Sequence, residues 1–252
     1  MPPPHMPDEI FKAARSTYRA VVSAGLMSHA ALIGAAADAV TAAATAAGAP
    51  IAVLDLGCGD AAELLAALAA RGGETVVASY TGVDASPPAL ALARKNAAAS
   101  LPGVACDFVE GDLLAAAVAA PAARHGAVVA SFAAHHLPSD ESGKAALVRA
   151  CKAALAPGGA LIVVDVFLED ASTDTVPSWR ARVGREVRTE WAAKAGITAE
   201  DAAAMANHLE TCDLPARVAD YSSWGAAAGF AGVDEVLAVP GGIGGRAIVL
   251  RV

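Results

Sequence analysis

Short apolar runs alternate with amphipathic stretches along most of the chain. Residues 51–54 form an apolar run directly after Pro50, a pattern typical of a buried parallel strand. The run at residues 75–83 is followed by Ser86 and Pro87, a favourable helix start because the missing N–H of proline costs nothing in the first turn. This alternation predicts right-handed βαβ crossovers and a parallel sheet with helices on both faces. Further strand-like runs lie at residues 104–109, 126–131, 160–166, 232–239 and 246–252.

Helical patterns precede and interrupt these runs. Two helices are predicted before the first strand, one over residues 8–24 and one from Ser28, whose hydroxyl can cap it. A third helix is predicted from about Asp60, where Glu63 completes a candidate capping box. Besides the helix that starts at Ser86, another is predicted over residues 140–155.

The stretch 170–219 departs from the alternation. It is polar, helical in pattern, and contains Trp179 and Trp191, which we expect to form its own small core. We therefore divide the chain into an N-terminal helical cap, residues 1–50, and a main domain, residues 51–252, that contains this helical insertion.

Composition favours a cytoplasmic protein without a membrane segment. Hydrophobic residues make up 56% of the 252 positions and the mean hydropathy is +0.47, but most of this signal is alanine. Charged residues, glycine or proline interrupt the apolar runs before the roughly 20 residues of a spanning helix. Residues 1–7 lack the basic-then-apolar order of a secretory signal.

Charge and cysteine usage narrow the function further. The net charge is −8 with scattered lysines and arginines, so no basic stripe is present for nucleic acid. No two of the 4 cysteines form a CxxC pair, which favours isolated thiols in a reducing compartment over disulfides or a zinc site.

The strongest chemical signal is the sequence VLDLGCGD at residues 53–60. A buried strand leads here into a glycine turn and then a helix, and glycines let a ligand approach the backbone without a Cβ in the way. In an open α/β sheet this is the crevice where ligands bind. A glycine turn with a purely structural role would have the same sequence pattern.

Two acids follow the next two strands. Asp84 ends the second strand, where a carboxylate can accept both hydroxyls of a ribose. Asp112 follows the third strand and can accept from an adenine amino group, with Leu113 against the ring. Each acid is equally suited to capping the helix that follows.

Together these features resemble the class I S-adenosylmethionine-dependent methyltransferases, over about residues 51–167. One departure is Ala61, where that family commonly has a third glycine. The matching segments are residues 55–59, Asp84, Asp112 with Leu113, the fourth-strand loop 131–137 and the turn 155–159.

The resemblance implies a doubly wound, mostly parallel α/β sheet of seven strands in the order 3-2-1-4-5-7-6, with the last strand antiparallel. It implies S-adenosylmethionine as cofactor and S-adenosylhomocysteine as product. Asp55 is then expected to hold the methionine ammonium, directly or through water, and the N-terminal helices and the insertion to form a lid over the acceptor site. The implied cofactor-binding residues are Asp55, Gly57, Cys58, Gly59, Asp84, Ala85, Asp112, Leu113 and Ser131.

Methyl transfer needs few catalytic groups, because the sulfonium is already an excellent leaving group and the protein mainly aligns the reactants. His135 and His136 follow the fourth strand, beside the expected transfer point, and are candidate bases or structural residues. His208 is a third candidate, since Glu210 or Asp213 nearby can orient it, although a surface histidine is the simpler interpretation.

Several patterns are missing from the sequence. No Asn/Asp-Pro-Pro-Tyr/Phe follows the fourth strand, which disfavours exocyclic amino groups of nucleic-acid bases as acceptors. Ser131 stands where metal-dependent catechol-type methyltransferases place an aspartate, and no histidines or cysteines have metal-ligand spacing. We therefore expect no metal.

The sequence thus predicts methyl transfer to an oxygen or nitrogen of a small molecule by a monomer or homodimer. An NAD-dependent oxidoreductase stays open as an alternative, because Gly57, Gly59 and Asp84 also suit a dinucleotide. A non-catalytic S-adenosylmethionine-binding protein is a second alternative, since this scaffold hosts several functions.

Overall fold

Seven apolar runs pair into one sheet in the computed structural model, which describes residues 8–169, 173–239 and 242–252. The strand order is β3-β2-β1-β4-β5-β7-β6, as expected, and β7 runs antiparallel to both of its neighbours. The other neighbouring pairs are parallel. The strands are β1 (Ile51–Leu56), β2 (Val77–Asp84), β3 (Ala105–Glu110), β4 (His125–Ser131), β5 (Leu155–Val166), β6 (Gly232–Ala238) and β7 (Gly245–Arg251).

Helices cover both faces of the sheet. Alternate strand residues face opposite ways, so Val53 packs into one hydrophobic cluster with α2, α3 and α4, and Leu54 into another with α5, α6 and α10. The helices are α1 (Asp8–Ser23), α2 (His29–Ala47), α3 (Ala62–Ala69), α4 (Pro87–Ser100), α5 (Leu113–Ala119), α6 (Lys144–Ala154), α7 (Val176–Glu186), α8 (Ala192–Ala195), α9 (Ala199–Cys212) and α10 (Val218–Ala228).

Of three helix starts predicted from local sequence, one was confirmed and two had wrong caps. The Ser86 hydroxyl accepts from the Ala89 N–H at 3.3 Å, with proline at the start of α4. Ser28, by contrast, has a φ of 49° and no side-chain capping bond, so the predicted cap is wrong. The predicted capping box of Asp60 and Glu63 is also wrong, because the glycine turn continues through Ala61, at φ 54°, and α3 begins only at Ala62.

Two further boundaries differ from the predictions. The helix expected from residue 140 begins at Lys144, because the Asp140 carboxylate accepts from the N–H groups of Ser142 and Gly143 and forms a turn first. Strand β5 begins at Leu155 instead of residue 160, with a register shift against β4 that accommodates the proline-glycine turn.

The insertion has its own apolar core, as predicted. Trp179 and Trp191 are buried together with Val21 of α1 and Val166 at the end of β5. The Trp179 indole N–H donates to the Ile243 carbonyl at 3.1 Å, just before β7. Since Val166 pairs with the first residue of β7, this core lies at the carboxyl edge of the parallel strands. Residues 1–7 of the expected cap and 170–172 of the insertion lie outside the described residues.

Helix α2 is long and apolar enough to cross a membrane by length and composition, although the sequence suggested that no run was. Its side chains Leu32, Ala36 and Val40 are fully buried in the cluster that covers the sheet. Such burial is what a core helix of a folded domain requires, and it accounts for the apolar composition. The four cysteines are free thiols, as predicted.

Candidate active site

The glycine turn after β1 is joined to the end of β2 by a side chain. The Gly59 N–H donates to Asp84 Oδ2 at 2.8 Å, and the Ser86 N–H donates to Asp84 Oδ1 at 2.8 Å. Gly57 and Gly59 have φ of 74° and 55°, backbone conformations that favour glycine. A β-carbon at Gly57 would overlap that of Ala133, beyond β4. Three strand ends therefore meet at this turn.

Asp55 is buried beneath the turn, with 2% of its surface exposed. Tyr80 of β2 donates to Asp55 Oδ2, whereas Oδ1 has no hydrogen-bond partner. The pKa of Asp55 is raised to about 7, mainly because the carboxyl is buried. The Tyr80 hydrogen bond lowers this pKa, whereas the nearby charge of Asp84 raises it further. A cation bound beside this buried carboxyl would stabilise its ionised form.

The other predicted cofactor residues lie around the same edge. Asp112 is exposed and caps α5 through Oδ1, which accepts from the Ala115 N–H at 2.8 Å, so the helix-cap role is present. Leu113 is half-buried, and Ala85 is exposed beside Asp84. The half-buried Cys58 has a thiol whose pKa is raised by burial, which keeps it protonated. Ser131 ends β4 with a buried, unpartnered Oγ.

An aromatic group that the sequence did not reveal lies next to this edge. Phe132, at φ 49°, stacks on His29 with ring centroids 4.7 Å apart. Tyr18 Oη and His29 Nε2 are hydrogen-bonded at 2.8 Å, and His29 Nδ1 is buried without a partner. Burial lowers the pKa of His29 and raises that of Tyr18, with the charge of Glu63 acting on both. Both side chains are therefore neutral near pH 7.

His135 is held rigidly by the end of β5. Its Nδ1–H donates to Asp165 Oδ1 at 2.5 Å, and its backbone N–H donates to Asp165 Oδ2 at 2.9 Å. Burial disfavours the imidazolium, but the charge and hydrogen bond of Asp165 outweigh it and raise the pKa of His135 above its usual value. Burial is likewise outweighed at Asp165, where His135 holds the carboxyl pKa below its usual value.

The three predicted catalytic histidines converge on one acid, Asp213. The rings of His135 and His136 are 4.1 Å apart, and those of His136 and His208 are 5.4 Å apart. Asp213, directly after α9, is the partner of His208, whereas Glu210 forms an ion pair with Arg188 at 2.5 Å. Partial burial, and then the charges of His135 and His208, lower the pKa of His136. Burial raises the pKa of Asp213.

The sequence identified most of these groups but not the residues that contact them. Asp165 is the second-last residue of β5, and an acid so close to a strand end, as Asp84 is in β2, was a usable signal. Tyr80, Tyr18 and His29 carried no motif, because their roles depend on tertiary contacts with residues 11 or more positions away. His135, His136 and Asp213 offer ligand atoms within 4.8 Å of one another, a set that no sequence spacing indicated.

The family model of a methyltransferase domain matches residues 53–159, somewhat less than half of the chain, and this segment includes the glycine turn, Asp84 and the His135-His136 pair. No curated protein matches the chain in sequence.

Solved structures share the fold at low identity. Magnesium protoporphyrin IX methyltransferase from Synechocystis, with bound SAH, has a TM-score of 0.58 and 17% identity over 97% of this chain and 94% of that one. An O-methyltransferase family protein from Burkholderia thailandensis has a TM-score of 0.56 and 19% identity, over 85% of this chain and 54% of that one. The S-adenosylmethionine-dependent methyltransferase SibL has a TM-score of 0.54 and 22% identity, over 85% of this chain and 54% of that one. The chain thus spans about half the length of these last two proteins.

Proposed function

We propose that this protein, which has a methyltransferase domain of the class I fold and S-adenosylmethionine as its methyl donor, methylates an oxygen or nitrogen atom of a small molecule. The observation that carries the proposal is the junction of Gly59 and Asp84 above the buried Asp55. It combines backbone open to a ligand, an acceptor for ribose hydroxyls and a latent negative charge at one sheet edge.

Each residue of this site binds a different part of the cofactor. Asp84 retains lone pairs beyond its two backbone bonds and accepts from the ribose hydroxyls. Asp55 Oδ1 faces no protein donor, and the methionine ammonium supplies the cation that it lacks. Leu113 packs against the adenine, with Asp112 at the rim.

Small-molecule acceptance is supported by charge and by the lid. The net charge of −8 opposes binding of a polyanion. The core formed by Trp179, Trp191 and Val21 joins the N-terminal helices to the insertion over the carboxyl edge of the sheet, an arrangement suited to enclosing a small acceptor. O-methyltransferases are among the solved structures with this fold.

S-adenosylmethionine supplies a methyl group activated by its sulfonium. The protein's residues align the acceptor, exclude water and take up one proton. The catalytic assignment of His135, His136 and His208 stays a prediction, and their convergence on Asp213 favours a binding role. His29, neutral, hydrogen-bonded to Tyr18 and stacked on Phe132, which directly follows β4, is a further candidate proton acceptor.

Three measurements test the proposal. S-adenosylhomocysteine should raise the melting temperature of the full chain, whereas NAD should not; the reverse result would favour the oxidoreductase. A panel of small phenols, carboxylic acids and amines, scored by S-adenosylhomocysteine release, should then yield an acceptor. Cofactor binding without turnover across that panel would favour the non-catalytic alternative. Replacement of His29 by Gln should lower kcat with little change in cofactor affinity.

A further inference from the structure

Three imidazole nitrogens surround one carboxylate oxygen between the loop after β4 and the end of α9. Asp213 Oδ1 lies 3.8 Å from His135 Nε2, 3.9 Å from His136 Nδ1 and 3.8 Å from His208 Nε2. These separations are too long for hydrogen bonds. In a tetrahedral zinc site, with bonds of about 2.0–2.2 Å, adjacent ligand atoms lie about 3.3–3.6 Å apart. The three contacts to Asp213 Oδ1 exceed that spacing by a few tenths of an ångström, and the ligand atoms of His135, His136 and Asp213 all lie within 4.8 Å of one another.

The Oδ1 atom of this carboxylate lacks a hydrogen-bond donor. The Asp213 side chain is 2% exposed, and Oδ1 is buried without any hydrogen bond. The buried cation Lys144 donates instead to the carbonyls of Leu137 and Leu214, and Arg180 donates to the backbone carbonyl of Asp213. A buried carboxylate oxygen in this state is costly unless a cation or donor satisfies it.

A second carboxylate fixes the ligand that lies deepest. Asp165 Oδ1 binds His135 Nδ1 at 2.5 Å and also accepts from the Val166 N–H at 2.8 Å, so the acid is itself oriented. The ring is thereby held with Nε2 toward Asp213. A carboxylate on the far nitrogen of a ligating histidine is the usual support for a bound transition metal.

We propose that His135, His136 and Asp213 bind one divalent transition metal ion, with His208 as the fourth ligand. Two or three imidazoles with one carboxylate suit zinc, whereas magnesium and calcium prefer oxygen ligands. The ion ties α9 to the loop after β4 and so fastens the lid insertion to the sheet. The Leu214 N–H, which donates to the His135 carbonyl at 2.8 Å, already joins these two segments.

Access to the site is open from one side. The side chains of His136 and His208 are 44% and 54% exposed, whereas those of His135 and Asp213 are buried. An ion can therefore enter past the two outer histidines and meet the buried pair. This inference concerns binding alone and does not depend on methyl transfer.

The test is zinc binding to the full chain after treatment with a chelator. Equilibrium dialysis with metal analysis should find one tightly bound Zn²⁺ per chain, and the ion should raise the melting temperature. D165N should weaken binding by roughly 10- to 100-fold. H136Q and D213N should weaken it further; H136Q changes a partly exposed side chain and keeps the test valid if D213N unfolds.

Two matched controls accompany these variants. E210Q removes a neighbouring carboxylate that pairs with Arg188, and C212S removes an exposed thiol beside Asp213; both should bind zinc as the unmodified chain does. Absence of stoichiometric zinc, unchanged binding by H136Q, or loss of binding in C212S would overturn the proposal. None of these readouts uses the cofactor, so failure here is distinguishable from failure of the proposed methyl transfer.

Discussion

Tyr80 of β2 donates a hydrogen bond to Asp55 of β1 in the interior of the sheet, directly below the turn that we assign to the cofactor. This single donor opposes the effect of burial on the carboxyl, whose pKa is raised to about 7. Asp55 therefore titrates near physiological pH. We therefore expect its charge state to make both cofactor binding and folding stability depend on pH near neutrality.

Cofactor affinity should rise with pH. In the proposed site the ionised form of Asp55 holds the ammonium, so S-adenosylhomocysteine should bind more tightly as pH increases through about 7. Y80F removes a donor to the carboxylate, so the midpoint should move to higher pH. Titration calorimetry between about pH 6 and pH 8 measures both profiles. A flat profile in the unmodified protein would remove Asp55 from the ammonium site.

Folding stability should change in the opposite direction. The folded-state pKa of Asp55 lies above the unfolded value of 3.8, so its contribution is fully present below that value and is lost as pH rises through about 7. D55N keeps the Tyr80 hydrogen bond without the charge. It should therefore gain stability relative to the unmodified chain above neutral pH, by on the order of a few kcal/mol. Urea denaturation at several pH values gives the comparison.

The sheet and the glycine turn were predictable, because local signals decide them. Ser86 caps α4 by its own hydroxyl, and Asp84 follows an apolar run at a strand end. Ala61 shows the limit: an alanine at φ 54° gives no signal in sequence, since the strained backbone is imposed by the turn that precedes it.

Long-range partners were not predictable for a different reason. The sequence offered His208 two acids. The packing of α9 against α7 and the helical turn that follows it, residues 187–191, directs Glu210 to Arg188 and leaves Asp213 for the histidines. The same holds for Asp165 and His135, which meet because β4 and β5 are neighbours in the sheet. Contacts of this kind depend on topology and have no local pattern.

Removal of the Asp84 side chain should weaken cofactor binding. In the proposed site D84A leaves the ribose hydroxyls without their acceptor, and it also frees the Gly59 and Ser86 N–H groups. The expected loss is about 1–3 kcal/mol, or roughly 5- to 150-fold in Kd for S-adenosylhomocysteine. D107A, an exposed acid on the neighbouring strand β3, is the matched control and should bind normally. Equal affinities for both variants would contradict the ribose assignment.

Alanine substitutions at the two glycines of the turn distinguish the cost of backbone strain from the cost of steric overlap. G59A places alanine at φ 55° in open space, so it should cost only the left-handed conformation, about 1–2 kcal/mol. G57A adds overlap with the Ala133 β-carbon, and overpacking should add about 1–3 kcal/mol. Denaturant unfolding of both variants gives the difference. Because the overlap forces the turn away from β4, G57A should also lose more cofactor affinity than G59A. Equal losses would mean that the approach of the turn to Ala133 does not shape the site.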